Sequence, residues 1–179
     1  MKRWALLFAA FLCFTAVASA QDNPKVEIFG GYSYYHFDAP GTFFAGPAIL
    51  ADLNGASASV AVNPFRHLGL VADFGGYVAG SSSELGGTHI ITYMFGPKVA
   101  FRSGRFTPFA QFLVGGAHID ISGISSSLAW AGGVGLDVNL TRHFAVRLPQ
   151  IEFLRTYFAD GATGTQDNIR ASAGVVYRF

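Results

Sequence analysis

From about residue 25 to its end, the chain alternates large apolar side chains with small or charged ones, position by position. In 67–79, Leu68, Leu70, Ala72, Phe74 and Val78 fall on one face; Gly69, Val71, Asp73, Gly75 and Tyr77 fall on the other. In 89–101, Ile91, Tyr93, Phe95, Val99 and Phe101 oppose Thr92, Met94, Gly96, Lys98 and Ala100. In 127–139, Trp130, Val134, Leu136 and Val138 oppose Ala131, Gly133, Gly135 and Asp137. The last stretch sets Ala171, Ala173, Val175, Tyr177 and Phe179 against Arg170, Ser172, Gly174, Val176 and Arg178. Successive side chains of a strand point to opposite faces, so a period of two predicts strands whose two sides meet different surroundings. Eight such segments are expected, over 25–37, 52–63, 67–79, 89–101, 107–119, 127–139, 143–157 and 167–179.

The connections between them alternate in length. Asn63-Pro64-Phe65-Arg66, Arg102-Ser103-Gly104-Arg105 and Thr141-Arg142 read as tight turns. The stretches 38–51, 80–88, 120–126 and 158–166 are longer and richer in Gly, Ser, Ala or Asp. An up-and-down sheet between two unlike environments has this asymmetry. No crossover helix separates the segments, so parallel pairing is not expected. One segment breaks phase: Phe144, Val146 and Leu148 set one face, while Ile151 and Phe153 set the opposite one. Pro149 lies between them and cannot donate to a ladder. The reading is a bulge near 148–151 that turns Glu152 toward the polar side; the alternative is a strand that ends early.

The polar face carries about one strongly polar group per strand. Glu27, Asp73, Lys98, Asp137, Arg147, Arg170 and Arg178 are charged, Gln111 stands on the fifth segment, and the bulge adds Glu152. A water-facing surface of Gly, Ala and Ser with so few charges is unusual. An interior in which opposite charges compensate one another fits better, since an isolated buried ion is too costly. The apolar faces then look outward, into lipid. The expected fold is an all-β, eight-stranded antiparallel up-and-down transmembrane β-barrel, closed because lipid tolerates no open edge. Eight strands enclose a space just wide enough for side chains, and Tyr35, Phe37, Tyr77 and Met94 are expected to obstruct it further. Tyr32, Tyr34, Tyr93, Trp130, Tyr177 and Phe179 are candidates for the interfacial rings that amphipathic aromatics form.

The N-terminus changes the picture of where the chain resides. Met1-Lys2-Arg3, an apolar run from Trp4 to Val17 and Ala18-Ser19-Ala20 read as a cleavable signal peptide over 1–20, with the mature domain over 21–179. An N-terminal membrane helix is the other reading, and the apolar run is short for one. Cys13 is the single cysteine and lies in the leader, so disulfides are not expected to hold the mature chain. Removing Lys2 and Arg3 leaves ten basic and eleven acidic residues, a formal charge of −1. That balance lacks the basic surplus of a nucleic-acid binder.

The chain resembles the small eight-stranded outer-membrane β-barrels, the superfamily of the OmpA transmembrane domain. The resemblance rests on the leader, on Val26-Glu27-Ile28-Phe29-Gly30-Gly31-Tyr32-Ser33-Tyr34, and on the terminal Val175-Val176-Tyr177-Arg178-Phe179. It implies a Gram-negative outer membrane, periplasmic termini and short turns, and four longer loops outside the cell. It also implies that Tyr177 and Phe179 form a signal read by the barrel assembly machinery, with periplasmic chaperones as partners during biogenesis. Outer-membrane lipids are the standing partners and the barrel is expected as a monomer. After Phe179 there is no peptidoglycan-binding domain, which puts a cell-wall tether in doubt.

Fold alone does not assign an activity. The first reading is a non-enzymatic barrel with a structural or surface-loop role and no cofactor. The second is an outer-membrane lipid-modifying enzyme, which needs a nucleophile and base held together at the membrane face. His36, His89 and His118 lie near segment ends with Ser33, Ser81 to Ser83 and Ser122 to Ser127 in the neighbourhood, but no catalytic pattern orders them. A third reading, a secreted soluble barrel that binds a lipid inside, requires an apolar interior and charges outside. No metal-ligand spacing or nucleotide-binding glycine motif is present in the sequence. Phe43 and Phe44 in the first long connection suit contact with headgroups, a partner or the loop's own core.

Overall fold

The computed structural model describes residues 24–39, 49–79, 89–120, 124–157 and 165–179. Residues 1–20, expected as a leader, and Phe43–Phe44 lie outside these residues. Eight strands follow one another: β1 (Val26–Ala39), β2 (Ile49–Val62), β3 (Leu68–Ala79), β4 (His89–Ala100), β5 (Phe106–Asp120), β6 (Ile124–Asn139), β7 (Phe144–Tyr157) and β8 (Thr165–Arg178). Each pairs antiparallel with its sequence neighbour, and β8 returns to pair with β1, so the sheet is a closed barrel. Closure runs from Glu27 opposite Arg178 to His36 opposite Ile169. At the short-turn end it is completed by Lys25 N–H donating to Phe179 O at 3.1 Å and Phe179 N–H to Val26 O at 2.9 Å.

The short turns form for local reasons. In the β4–β5 turn Gly104 has φ +56°, a left-handed conformation that suits a residue without Cβ. In the β6–β7 turn Thr141 Oγ1 accepts from the backbone N–H of Phe144 at 3.0 Å. The β2–β3 turn is anchored by Asn63, whose Nδ2 donates to Pro24 O at 3.0 Å across the β1–β2 hairpin. Pro64 follows where no ladder donor is needed.

Strand boundaries correct the sequence expectation at the other end. β2 begins at Ile49 and β6 at Ile124, so the stretches expected as loops over 38–51 and 120–126 are partly ladder. Asp38 pairs with Leu50, and Ser125 to Ser127 lie opposite Ile119 to Ala117. The β5–β6 connection is reduced to 121–123, shorter than the 101–105 turn, so the expected alternation of long and short fails there. Antiparallel backbone bonds stabilise a hairpin beyond the lipid whatever polar side chains it carries.

The bulge in β7 is present. Arg147 faces Gly174 and Gln150 faces Ser172, so Leu148 and Pro149 oppose Ala173 alone. Across the other edge the same pair opposes Leu136. Leu148 and Pro149 both point outward, after which Ile151 and Phe153 are exposed and Glu152 is buried.

The two faces separate cleanly. Ile91, Phe95, Val114, Val134, Ile169 and Val175 are among the large apolar residues on the outside. Aromatic rings join across outward ladders: Phe112 and Trp130 at 5.8 Å, Trp130 and Phe153 at 5.8 Å, Phe74 and Phe95 at 6.0 Å. At the closing seam Tyr177 packs edge-on to Phe144 at 5.0 Å and Phe179 at 4.7 Å. Tyr32, Tyr34, Tyr93 and Phe179 are exposed, and Trp130 and Tyr177 are half-buried, all on this outer face. An outward apolar face around a charged interior removes the soluble lipid-binding reading, which needs the reverse.

Candidate functional site

The lumen is built from inward positions of all eight strands and is layered along the axis. Nearest the short turns, Glu27 on β1 accepts from Lys98 Nζ on β4 at 2.8 Å and from Arg102 Nη2 at 3.0 Å. Asp137 on β6 is held bidentately by Arg147 on β7, through Nε at 2.7 Å and Nη2 at 3.2 Å. Arg178 on β8 joins the two carboxylates. Its Nη2 donates to Asp137 Oδ2 at 2.9 Å, and its Nε stands 3.4 Å from Glu27 Oε1, within ion-pair range but outside hydrogen-bond geometry. Rings cover two of these paired cations: Arg147 lies over Phe109 at 4.3 Å and Phe29 at 4.6 Å, and Lys98 over Phe109 at 4.5 Å.

The middle layer centres on Arg170 of β8, which is fully buried. Its Nε donates to Glu152 Oε2 at 2.6 Å, and its Nη1 to Asp73 Oδ1 at 2.7 Å and to Tyr77 Oη at 3.0 Å. Gln111 on β5 donates to the other oxygen of Glu152 at 2.8 Å. Beside this layer a chain of hydroxyls crosses three strands, Ser57 to Ser33 at 2.6 Å and Ser33 to Ser172 at 2.7 Å. The glycines make room: a Cβ at Gly133 would run into Glu152, and one at Gly135 into the Phe109 ring.

All nine polar residues singled out from sequence, Glu27, Asp73, Lys98, Gln111, Asp137, Arg147, Glu152, Arg170 and Arg178, are buried inside. By ion pairs they fall into two clusters, and the buried Gln150 joins them: it accepts from Arg147 Nη1 at 3.0 Å and bonds the Glu152 carboxylate. Glu27, Asp73, Asp137 and Glu152 balance Lys98, Arg147, Arg170 and Arg178 in number. Tyr177 and Phe179, singled out for assembly, belong to the outer seam.

The layer toward the long connections is largely apolar, with Thr92, Ser127, Thr156 and Asn168 buried among its aliphatic and aromatic side chains. Tyr35 and Tyr77 pack 5.0 Å apart, and Leu53, Ile90, Met94, Leu113 and Leu154 are buried with them. Of the expected obstructions, Tyr35, Tyr77 and Met94 are here, and the Phe37 side chain lies outside the described residues. Sequence reading did not single out Leu53, Ile90, Leu113 or Leu154. The signal was the inward parity of Leu53, Leu113 and Leu154 in the upper halves of their strands, where a lumen need not be polar.

Of the candidate catalytic histidines, His36 meets a carboxylate rather than a hydroxyl. His36 Nδ1 lies 2.8 Å from Asp52 Oδ1 on the outer face, and Tyr34 Oη donates to the same oxygen at 2.6 Å. Among the described residues no serine or threonine hydroxyl is bonded to His36, and no group of His, Cys, Asp and Glu is arranged to hold a metal ion.

The architecture is similar to that of several solved structures. They include Neisserial surface protein A (TM-score 0.67, 13% identity, 87% of this chain and 97% of that chain). The N-terminal β-barrel domain of OprF from Pseudomonas aeruginosa aligns with TM-score 0.55 and 15% identity, over 87% of this chain and 98% of that one. Ail, the attachment invasion locus protein of Yersinia pestis, aligns with TM-score 0.54 and 15% identity, over 88% and 99%. At these identities the likeness is one of fold. Comparison with curated protein sequences yields no match. Over residues 6–179 the sequence matches the family described as the outer membrane protein β-barrel domain. With a closed eight-stranded sheet, an apolar exterior and a charged, filled interior, the chain belongs to that family of outer-membrane β-barrels.

Proposed function

We propose that the protein is a non-enzymatic, monomeric outer-membrane component: a sealed barrel that serves as a rigid support for the connections at its long-loop end. The observation that carries this reading is the filled lumen, with paired ions in two layers and a plug of Tyr35, Leu53, Met94, Leu113 and Leu154 above them. A buried ion network resists loss of any member, so the interior holds shape rather than conducting. With solute passage closed off, the surface left for recognition is the set of connections 40–48, 80–88, 121–123 and 158–164. In this reading residues 1–20 are removed on export, the termini and short turns face the periplasm, and those connections face outward. Phe179 and Tyr177 stand on the outer side of the strand that closes the barrel, where assembly machinery engages an incoming chain before β8 meets β1. Periplasmic chaperones carry the chain to that point.

Planar-bilayer recording tests the central claim. The purified barrel should show no steps comparable with those of a large porin. Large, stable channels would overturn the sealed-support reading while leaving the fold intact.

A further inference from the structure

The short-turn mouth has a composition that the sealed lumen does not explain. An open cavity of about 740 Å³ lies there, and the three short turns each contribute arginine to it: Arg66 from β2–β3, Arg102 and Arg105 from β4–β5, Arg142 from β6–β7. Arg178 and His143 complete its basic lining. No Asp or Glu side chain is among the lining residues. The lumen beneath is already balanced, so it does not neutralise this surplus. Arg66, Arg105 and Arg142 are exposed, and their guanidinium groups make no hydrogen bond or ion pair among the described residues.

Arg102 supplies a second, independent observation. Its Nη1 donates to Arg66 O and its Nη2 to Glu27, which holds the side chain against the mouth. Its Nε is buried and has no hydrogen-bond acceptor. An unmet N–H on a cation is a costly arrangement that an anionic oxygen would relieve. The opposite end of the barrel lacks this surplus: among the described side chains Asp52 and Asp167 stand there against Arg155. Charge is thus segregated along the axis, and a concave mouth lined by one sign concentrates counter-ions.

We infer that the short-turn mouth is a binding site for a phosphate-bearing anion. Several guanidinium forks converging from separate turns match phosphate oxygens two at a time, which a scattered set of lysines would not. The cavity admits a multiply charged headgroup or a small soluble polyphosphate, and both present the same chemistry. The inference does not depend on which side of the membrane the mouth faces.

Inorganic tripolyphosphate is the test ligand, titrated calorimetrically into the protein in phosphatidylcholine nanodiscs. The wild type should bind it, and binding should weaken as potassium chloride is raised. Combining Arg66→Gln, Arg105→Gln and Arg142→Gln should weaken binding at least tenfold, while Arg155→Gln at the far end leaves it unchanged. The electrophoretic heat shift of a folded barrel should persist in all variants, because these arginines hold no structural partner. Arg142→Gln alone should weaken binding in the same direction, which keeps the test valid if the triple variant assembles poorly. Discs that also contain phosphatidylglycerol separate the sources. Weaker tripolyphosphate binding in them identifies a lipid headgroup as occupant, and unchanged binding identifies a soluble phosphate. Equal affinity of wild type and triple variant, or no binding by the wild type, would overturn the site.

Discussion

Arg170 binds two carboxylates and a phenol from two other strands, β3 and β7, and it has no exposure to water. Removing such a residue does more than delete hydrogen bonds, because Asp73 and Glu152 would stay buried beside each other without a cation. Arg170→Ala should therefore lower unfolding stability by about 3–5 kcal/mol. The triple change Asp73→Asn, Glu152→Gln and Arg170→Met removes all three charges together and should recover most of that loss. Urea titration in detergent, read by the heat shift on gels, decides the matter. An Arg170→Ala barrel with an unaltered midpoint would show that the cluster contributes nothing. Every member of this cluster was legible as inward-facing from its parity in the sequence. Its partners were not: Arg170 and Asp73 lie 97 positions apart, and Lys98 and Glu27 lie 71 apart. Those pairs depend on how far neighbouring strands slide past one another on closure, which no local pattern encodes.

At the scale of elements, β7 accommodates one residue too many as a bulge. Leu148 and Pro149 oppose single residues on both neighbours and both point outward, so Glu152 keeps its place in the lumen beside Arg170. Deleting Pro149 should return the strand to simple alternation. Leu148 alone would then oppose Ala173, while Gln150, Glu152 and Leu154 kept their inward faces and present partners. The deletion variant should give a heat-shifted folded band, whereas an Ala inserted after Ile151, which turns Glu152 and Leu154 toward lipid, should not. A folded band from the insertion variant in wild-type yield would show that strand phase does not govern assembly. The bulge was visible in sequence because a phase break and a proline are both local. The extension of β2 and β6 was not, since Ser125 to Ser127 carry no strand pattern and are ordered by their partners on β5.

For the whole molecule, orientation is the property with the widest consequence. The β5–β6 connection is too short for length to identify the loop end by itself, so the assignment rests on all four connections together. Ser82 belongs to the stretch between β3 and β4 and Ser103 to the turn between β4 and β5, and the chain's single native cysteine is Cys13, within the expected leader. With intact cells, a membrane-impermeant thiol reagent should label Ser82→Cys and spare Ser103→Cys. The converse pattern would reverse the barrel in its membrane and place the arginine-lined mouth outside the cell.

By itself the sequence determined which side of the third, fourth, sixth and eighth segments meets lipid and which meets the lumen. That follows because side-chain direction in a strand depends only on the parity of its position, and the cost of a charge in lipid leaves one choice of face. It also determined the number of strands and the bulge. The tertiary structure decided everything that needs two strands at once. It set the division of the charges into two clusters, the apolar plug above them, and the meeting of arginines from three separate turns around one mouth. The stagger of a closed sheet selects these neighbours, and closure is a condition on all eight strands together rather than on any one of them.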